Sequence, residues 1–167
     1  MKPPKRPRRT KADEREAINV LSFRLEWAGE DKESSSLVIE TLVDGEPIAN
    51  FNTVATDLYQ LALSTKGDGD YQILNCWCGI PECAGLFEGI QVQHMDNAVR
   101  WRVEMTSMAR GRHEPVQQFV FKKDQYVESI ERFARDLSVN ESGKRIVLYS
   151  SHRHIQAGGL ERVLWEK

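Results

Sequence analysis

The stretch Val99-Arg100-Trp101-Arg102-Val103-Glu104-Met105 alternates apolar and charged residues at every position. A period of two is typical of a β-strand that buries one face and exposes the other. Just before it, Asp96-Asn97 predicts a reversal of the chain, and Ile90, Val92 and His94 share one face of a preceding strand. Together the two strands predict an antiparallel β-hairpin.

Strand patterns also occur on the N-terminal side of this hairpin. Alternation over residues 21–27 and an apolar run over residues 37–43 predict two strands. Asp44-Gly45 predicts the two-residue turn of a second hairpin, and Pro47 places the returning strand at an edge. Helical spacing of apolar residues over 53–63 then predicts a helix, with Thr53 as its N-cap.

The C-terminal third adds a strand at 116–121, a long helix capped by Asp124, and a last strand at 146–149. The apolar stripe of that helix consists of Tyr126, Ile130, Phe133 and Leu137. The order of elements lacks the regular β-α alternation of a parallel sheet. It predicts an α+β fold, mainly an antiparallel sheet with two helices packed on one face.

Charge divides the chain into two parts. Residues 1–11 carry six Lys or Arg and no acid, and because the whole chain carries −2, residues 12–167 carry −8. We expect residues 1–16 to form a disordered, basic, proline-rich arm and residues 17–167 a single domain. The arm suits nucleic-acid phosphates, whereas the acidic domain suits a basic protein partner.

Composition also limits the location of the protein. The chain has no apolar run of about 18 residues, so no membrane span is expected, and no apolar segment follows the charged N-terminus as in a secretory signal. Three closely spaced cysteines do not suggest a disulfide framework. We therefore expect a reducing, cytoplasmic compartment.

All three cysteines lie in Cys76-Trp77-Cys78-Gly79-Ile80-Pro81-Glu82-Cys83-Ala84-Gly85. Side chains two apart on an extended backbone point the same way, Gly79 permits a bend, and Pro81 stiffens the return of Cys83. Three converging thiolates predict a zinc site, for which His94 on the following strand is the best fourth ligand. The segment equally fits a metal-free structural turn or, with less local support, a redox or nucleophilic cysteine.

The pattern Cys-x-Cys-Gly-x-x-x-Cys-Ala-Gly, followed by a strand and a hairpin strand that carries Trp101, resembles one in uncharacterised bacterial hypothetical proteins. The resemblance covers about residues 74–103. It implies a bacterial cytosolic protein of an accessory or immunity type, and it supplies no catalytic residues.

Two further groups of residues are candidates for binding. The first is a basic concentration on one strand and the loop at 108–115, which fits an anion or an acidic partner: Arg100, Arg102, Arg110 and Arg112. The second is Ser150-Ser151-His152-Arg153-His154, whose histidines fit a metal pair or, with a serine, a nucleophile and base. Neither a Gly-x-Ser-x-Gly elbow nor a Walker motif accompanies them, and we assign no catalytic residue.

We therefore interpret the protein as a non-enzymatic, protein-binding domain with a structural cysteine turn. The alternative is a zinc-dependent enzyme or a nucleic-acid-binding protein that uses the basic arm. A third class, a domain that binds a small molecule between helix and sheet, stays open. Oligomeric state is not indicated by the sequence.

Overall fold

A computed structural model describes residues 18–28, 36–49, 54–107, 112–113 and 115–138. The basic arm, the predicted strand at 146–149 and the histidine pair lie outside these residues. The elements in chain order are β1 (Leu21–Ala28), β2 (Ser36–Val43), β3 (Glu46–Pro47), β4 (Val54–Thr56), α1 (Leu58–Leu63), β5 (Gly69–Tyr71), β6 (Leu74–Cys76), a 3-10 helix (Pro81–Ala84), β7 (Ile90–His94), β8 (Ala98–Val103), β9 (Thr106–Ser107), β10 (Arg112–His113), β11 (Gln117–Lys122) and α2 (Lys123–Ser138).

The predicted hairpin forms the centre of a four-stranded antiparallel sheet in the order β11-β8-β7-β5. Val92 pairs with Trp101, which pairs in turn with Phe119, so this row of residues lies on one face of the sheet. Val92 and Trp101 are fully buried, as the alternating pattern requires. The antiparallel α+β class is confirmed for the described residues.

The second hairpin is also confirmed. β1 and β2 pair along their whole length, and β3 pairs with β2 alone, which leaves Pro47 on an edge strand of this three-stranded sheet. Asp44 and Gly45 both have positive φ, 55° and 83°, as a two-residue type I′ turn demands. The Asp44 carboxylate accepts hydrogen bonds from the backbone N–H of Val20 and the side-chain amide of Asn19.

The predicted start of the first helix is wrong. Val54–Thr56 is a strand that pairs with β6, and α1 begins only after Asp57. The Asp57 carboxylate accepts hydrogen bonds from the backbone N–H groups of Tyr59 and Gln60, which are the donors that a helix start leaves without partners. β-Branched Val54 and Thr56 favour the strand, and Asp caps more strongly than Thr.

The hydrophobic core lies between the buried face of the sheet and the helices. α2 packs against β8, β11 and β1, and it also contacts α1. Within α2, Tyr126, Ile130 and Ala134 are buried, while Phe133 and Leu137 are half-buried against the core. The predicted apolar stripe of this helix is thus the face that packs inward.

One hydrogen-bonded chain joins three of these elements inside the core. Trp101 Nε1 donates to the Tyr126 hydroxyl over 3.1 Å, and that hydroxyl lies 2.5 Å from Ser64 Oγ. Ser64 donates its own proton to the carbonyl of Leu61, so Tyr126 donates to Ser64. Burial raises the pKa of Tyr126, which keeps the hydroxyl protonated for this role.

Tyr126→Phe should lower the free energy of unfolding by about 1–3 kcal/mol, because it leaves the buried Trp101 N–H without an acceptor. Urea unfolding followed by Trp fluorescence measures the change. Tyr59→Phe, at a half-buried position of α1, is the matched control and should change the free energy of unfolding by less than about 0.5 kcal/mol. Equal effects of the two substitutions would contradict the importance of the buried chain.

Candidate functional site

The three cysteines lie on a compact excursion from the end of β6, which we call the cysteine loop (residues 76–87). Cys76 pairs with Val54 in the short sheet of β4 and β6, so the loop starts from a fixed strand. A turn follows, in which Gly79 has a φ of 87° and donates its N–H to the Cys76 carbonyl over 2.8 Å. The 3-10 helix, with Pro81 in its first turn, then returns the chain.

The loop closes on itself through backbone hydrogen bonds. Cys83 N–H donates to the Ile80 carbonyl, and Leu86 N–H donates to the Pro81 carbonyl, each over 3.1 Å. Gly85 ends the 3-10 helix with a φ of 74°, a conformation that glycine adopts without strain. The expected bend at Gly79 and return at Pro81 are therefore present.

The three thiols are reduced and differ in environment: Cys76 is buried, whereas Cys78 and Cys83 are exposed. Burial raises the pKa of Cys76. Hydrogen bonding with the backbone of Ile80, and then with the Cys76 thiol, lowers the pKa of Cys78. The hydrogen bond and charge of Cys78 raise the pKa of Cys83. The hydrogen bonds and charges of the three thiols therefore act on one another's pKa values.

His94 is held elsewhere. Its Nε2 lies 2.8 Å from the carbonyl oxygen of Ser64 at the end of α1, and its backbone N–H donates to Asp68 over 2.6 Å. Across the described part of the chain, no group of three or more His, Cys, Asp or Glu side chains is arranged to hold a metal ion. The thiols are thus not arranged as metal ligands in the described residues, and the predicted fourth ligand, His94, is hydrogen-bonded at the end of α1.

Large apolar side chains that neighbour the cysteines in the sequence are exposed on the loop. Trp77, Ile80 and Phe87 are 36%, 54% and 53% exposed, and they make up half of the exposed large hydrophobic residues in the described ranges. Sequence periodicity could not show this surface, because the loop is built from turns and a 3-10 helix. The signal in the sequence is the placement of these residues beside Gly79, Pro81 and Gly85, where no regular element can turn them inward.

The loop also lies within a strongly acidic stretch. Residues 67–99 contain no Lys or Arg, and they include five acids. Two of these, Glu82 and Glu88, are exposed on the loop or directly after it. The apolar surface therefore carries a negative charge of its own.

Of the four predicted arginines, Arg100 and Arg102 are the two whose side chains the structure describes. Arg100 and Arg102 lie on the outer face of the four-stranded sheet, and Arg102 forms an ion pair with Glu104. Arg110 lies outside the described residues, and only the backbone of Arg112 is described, in β10 rather than in a loop. Arg100 and Arg102 help to line a shallow polar depression on that face.

No family model, curated protein or solved structure matches this chain. The resemblance to bacterial hypothetical proteins gains no support from these comparisons, and the proposals below depend on the residues themselves. None of the described helices combines the length and the apolar character that a membrane crossing needs.

The thiols should react with iodoacetamide in an order set by exposure and pKa, since the thiolate is the reactive form. Cys78 should react at the lowest pH, Cys83 should require a higher pH, and buried Cys76 should react slowest. Peptide mass mapping across a pH series measures each rate. A faster reaction at Cys76 than at Cys78 would contradict the described loop.

Cys78→Ser is the internal control for this pattern. It removes the thiolate that raises the pKa of Cys83, so the pH at which Cys83 reaches half its maximal rate should fall. An unchanged pH profile of Cys83 would show that the two side chains do not interact.

Proposed function

We propose that the protein is a binding module and that it captures a basic protein partner with the cysteine loop. The observation that carries this proposal is the exposure of Trp77, Ile80 and Phe87 on one short, hydrogen-bonded loop. Burying an exposed side chain of this size contributes about 1.5–3 kcal/mol. Tryptophan is also among the residues that most often dominate the energy of protein interfaces.

Local rigidity supports the same role. The loop is closed by its own backbone bonds and is anchored where buried Cys76 enters the β4–β6 sheet. A surface that is already ordered loses less conformational entropy when a partner binds. The cysteine loop therefore presents its aromatic and aliphatic side chains in a preorganised form.

Charge selects the kind of partner. The apolar side chains belong to a stretch of sequence, residues 67–99, that has five acids and no Lys or Arg, and Glu82 and Glu88 of this stretch are exposed. A partner segment that combines apolar residues with Lys or Arg would match both properties. Association should accordingly weaken as salt rises, because the charges involved are exposed to solvent.

Capture from a lysate with three immobilised forms of the protein tests this function. Proteins that bind wild type through the loop should be lost with Trp77→Ala, by about tenfold or more, and retained with Val116→Ala, an exposed apolar residue elsewhere. Quantitative mass spectrometry measures the ratios, and the lost proteins should be basic and should elute with salt. The proposal fails if no captured protein depends on Trp77, or if the dependent proteins are acidic.

The close spacing of Cys76, Cys78 and Cys83 in the sequence supports a second role for the same loop, zinc binding as a structural staple. The three thiols are not arranged as metal ligands in the described residues, so zinc would have to draw them together. Three thiolates would supply three of the four ligands that zinc takes. With His94 bonded to Ser64, the fourth position falls to a ligand other than this histidine. Zinc held in this way would fix the apolar surface further rather than perform catalysis.

Elemental analysis of untagged protein tests the staple. We expect one equivalent of zinc, lost with Cys83→Ser and kept with His94→Gln. Metal-free protein with three titratable thiols would overturn zinc binding while leaving the partner-binding surface unaffected. Loss of zinc with His94→Gln would instead show that His94 is the fourth zinc ligand.

A further inference from the structure

A polar depression lies on the outer face of the four-stranded sheet, on the opposite side from the core. Its volume is about 410 Å³, which falls in the range of sites for small ligands. Its polar lining consists of two acids, three amides and two arginines: Asp68, Asp70, Gln91, Gln93, Gln118, Arg100 and Arg102.

Strand register arranges these side chains in order of charge. Asp70 on β5 pairs with Gln91 on β7, Gln91 pairs with Arg102 on β8, and Arg102 pairs with Gln118 on β11. Paired residues in a sheet lie on the same face. One row therefore runs acid, amide, arginine, amide across four strands.

A second row is similar, except that its fourth residue is apolar, because Arg100 pairs with Val120 on β11. Gln93 on β7 pairs with Arg100 on β8. Asp68 lies at the same end of the sheet, because it accepts the backbone N–H of His94, the next residue along β7. The depression thus has an acidic side on Asp68 and Asp70, a basic side on Arg100 and Arg102, and amides between them.

The two charged sides are separated by two strand spacings, about 9–10 Å between backbones. The acidic side disfavours a simple anion, and the basic side disfavours a simple cation. A ligand with an ammonium group at one end and a carboxylate at the other satisfies both. The glutamine amides donate and accept hydrogen bonds, as a peptide group between those ends requires.

We propose that this face binds the free termini of a short peptide of two or three residues, with the ammonium beside Asp68 and Asp70 and the carboxylate beside Arg102. The first and last Cα atoms of an extended tripeptide lie about 7 Å apart, which leaves room for the side chains of the protein to reach each end. Guanidinium groups bind carboxylates through paired hydrogen bonds.

The existing ion pair of Arg102 with Glu104 does not block this role. Both side chains are close to half exposed, at 45% and 40%. An exposed pair of this kind contributes at most about 1 kcal/mol, so a ligand carboxylate can compete with Glu104 for the guanidinium. The site also depends on no residue of the cysteine loop, and its success or failure is separate from that of the proposed protein binding.

Calorimetric titration with dialanine and trialanine tests the site, with N-acetylated and C-amidated trialanine as matched probes. Free trialanine should bind, and blocking either terminus should weaken binding by about tenfold or more. Asp70→Asn should weaken the binding of free trialanine but leave the binding of the acetylated peptide unchanged. Arg102→Gln should weaken the binding of free trialanine but leave the binding of the amidated peptide unchanged.

The control is Arg132→Gln, which removes an exposed arginine that pairs with Glu128 on α2. It should leave the affinity for every peptide unchanged. Circular dichroism confirms that each variant is folded. Lack of binding by both free peptides, or equal binding of blocked and free trialanine, overturns the proposal. Tighter binding of inorganic phosphate than of trialanine would overturn it in favour of a simple anion site.

Discussion

The buried chain of hydrogen bonds from Trp101 through Tyr126 and Ser64 to the carbonyl of Leu61 ties the central strand to both helices. In a low-dielectric interior such a chain is stabilising only when every donor finds an acceptor, and here each of the three donors does. Trp101 and Tyr126 also pack edge to face, with ring centroids 5.8 Å apart. This aromatic contact stabilises the same arrangement as the hydrogen bond between them. The chain therefore fixes how α1 and α2 sit against β8.

That fixed arrangement determines the rest of the described molecule. Because Trp101 faces inward, the residues on either side of it, Arg100 and Arg102, must face outward, and pairing with β7 carries the same alternation to Gln91 and Gln93. The polar depression is thus the reverse side of the core-forming row. The His94 ring, bonded to the Ser64 carbonyl, ties the end of β7 to the same region.

Much of this organisation follows from the sequence, and the parts that do not have physical reasons. Period-two alternation around Trp101 and the Asp44-Gly45 turn predict both hairpins, since one face of each strand is buried and only one turn type suits two residues with positive φ. The helix after residue 53 is misplaced because three residues of strand and a helix start at Asp57 produce an apolar spacing close to that of a longer helix. The placement of His94 depends on the end of α1, which is distant in sequence, and local spacing could not reveal it.

The candidate sites also combine features set by neighbouring residues with features that depend on elements distant in sequence. The bend at Gly79 and the return at Pro81 were predictable because each depends on residues only a few positions apart. The apolar surface of the loop depends instead on turns that leave Trp77, Ile80 and Phe87 without a covering element. The polar depression on the sheet could not be predicted, because its arrangement of charges depends on the register of four strands. Local chemistry is thus evident from the sequence, while its combination across elements is a property of the fold.

If a partner covers the cysteine loop, carbene footprinting of the protein in lysate, compared with the purified protein in buffer, should show it. Labelling of Trp77, Ile80 and Phe87 should fall in lysate and be restored by high salt, while Val116 should be labelled equally in both conditions. Equal labelling of the three loop residues in lysate and in buffer would show that no partner covers the loop.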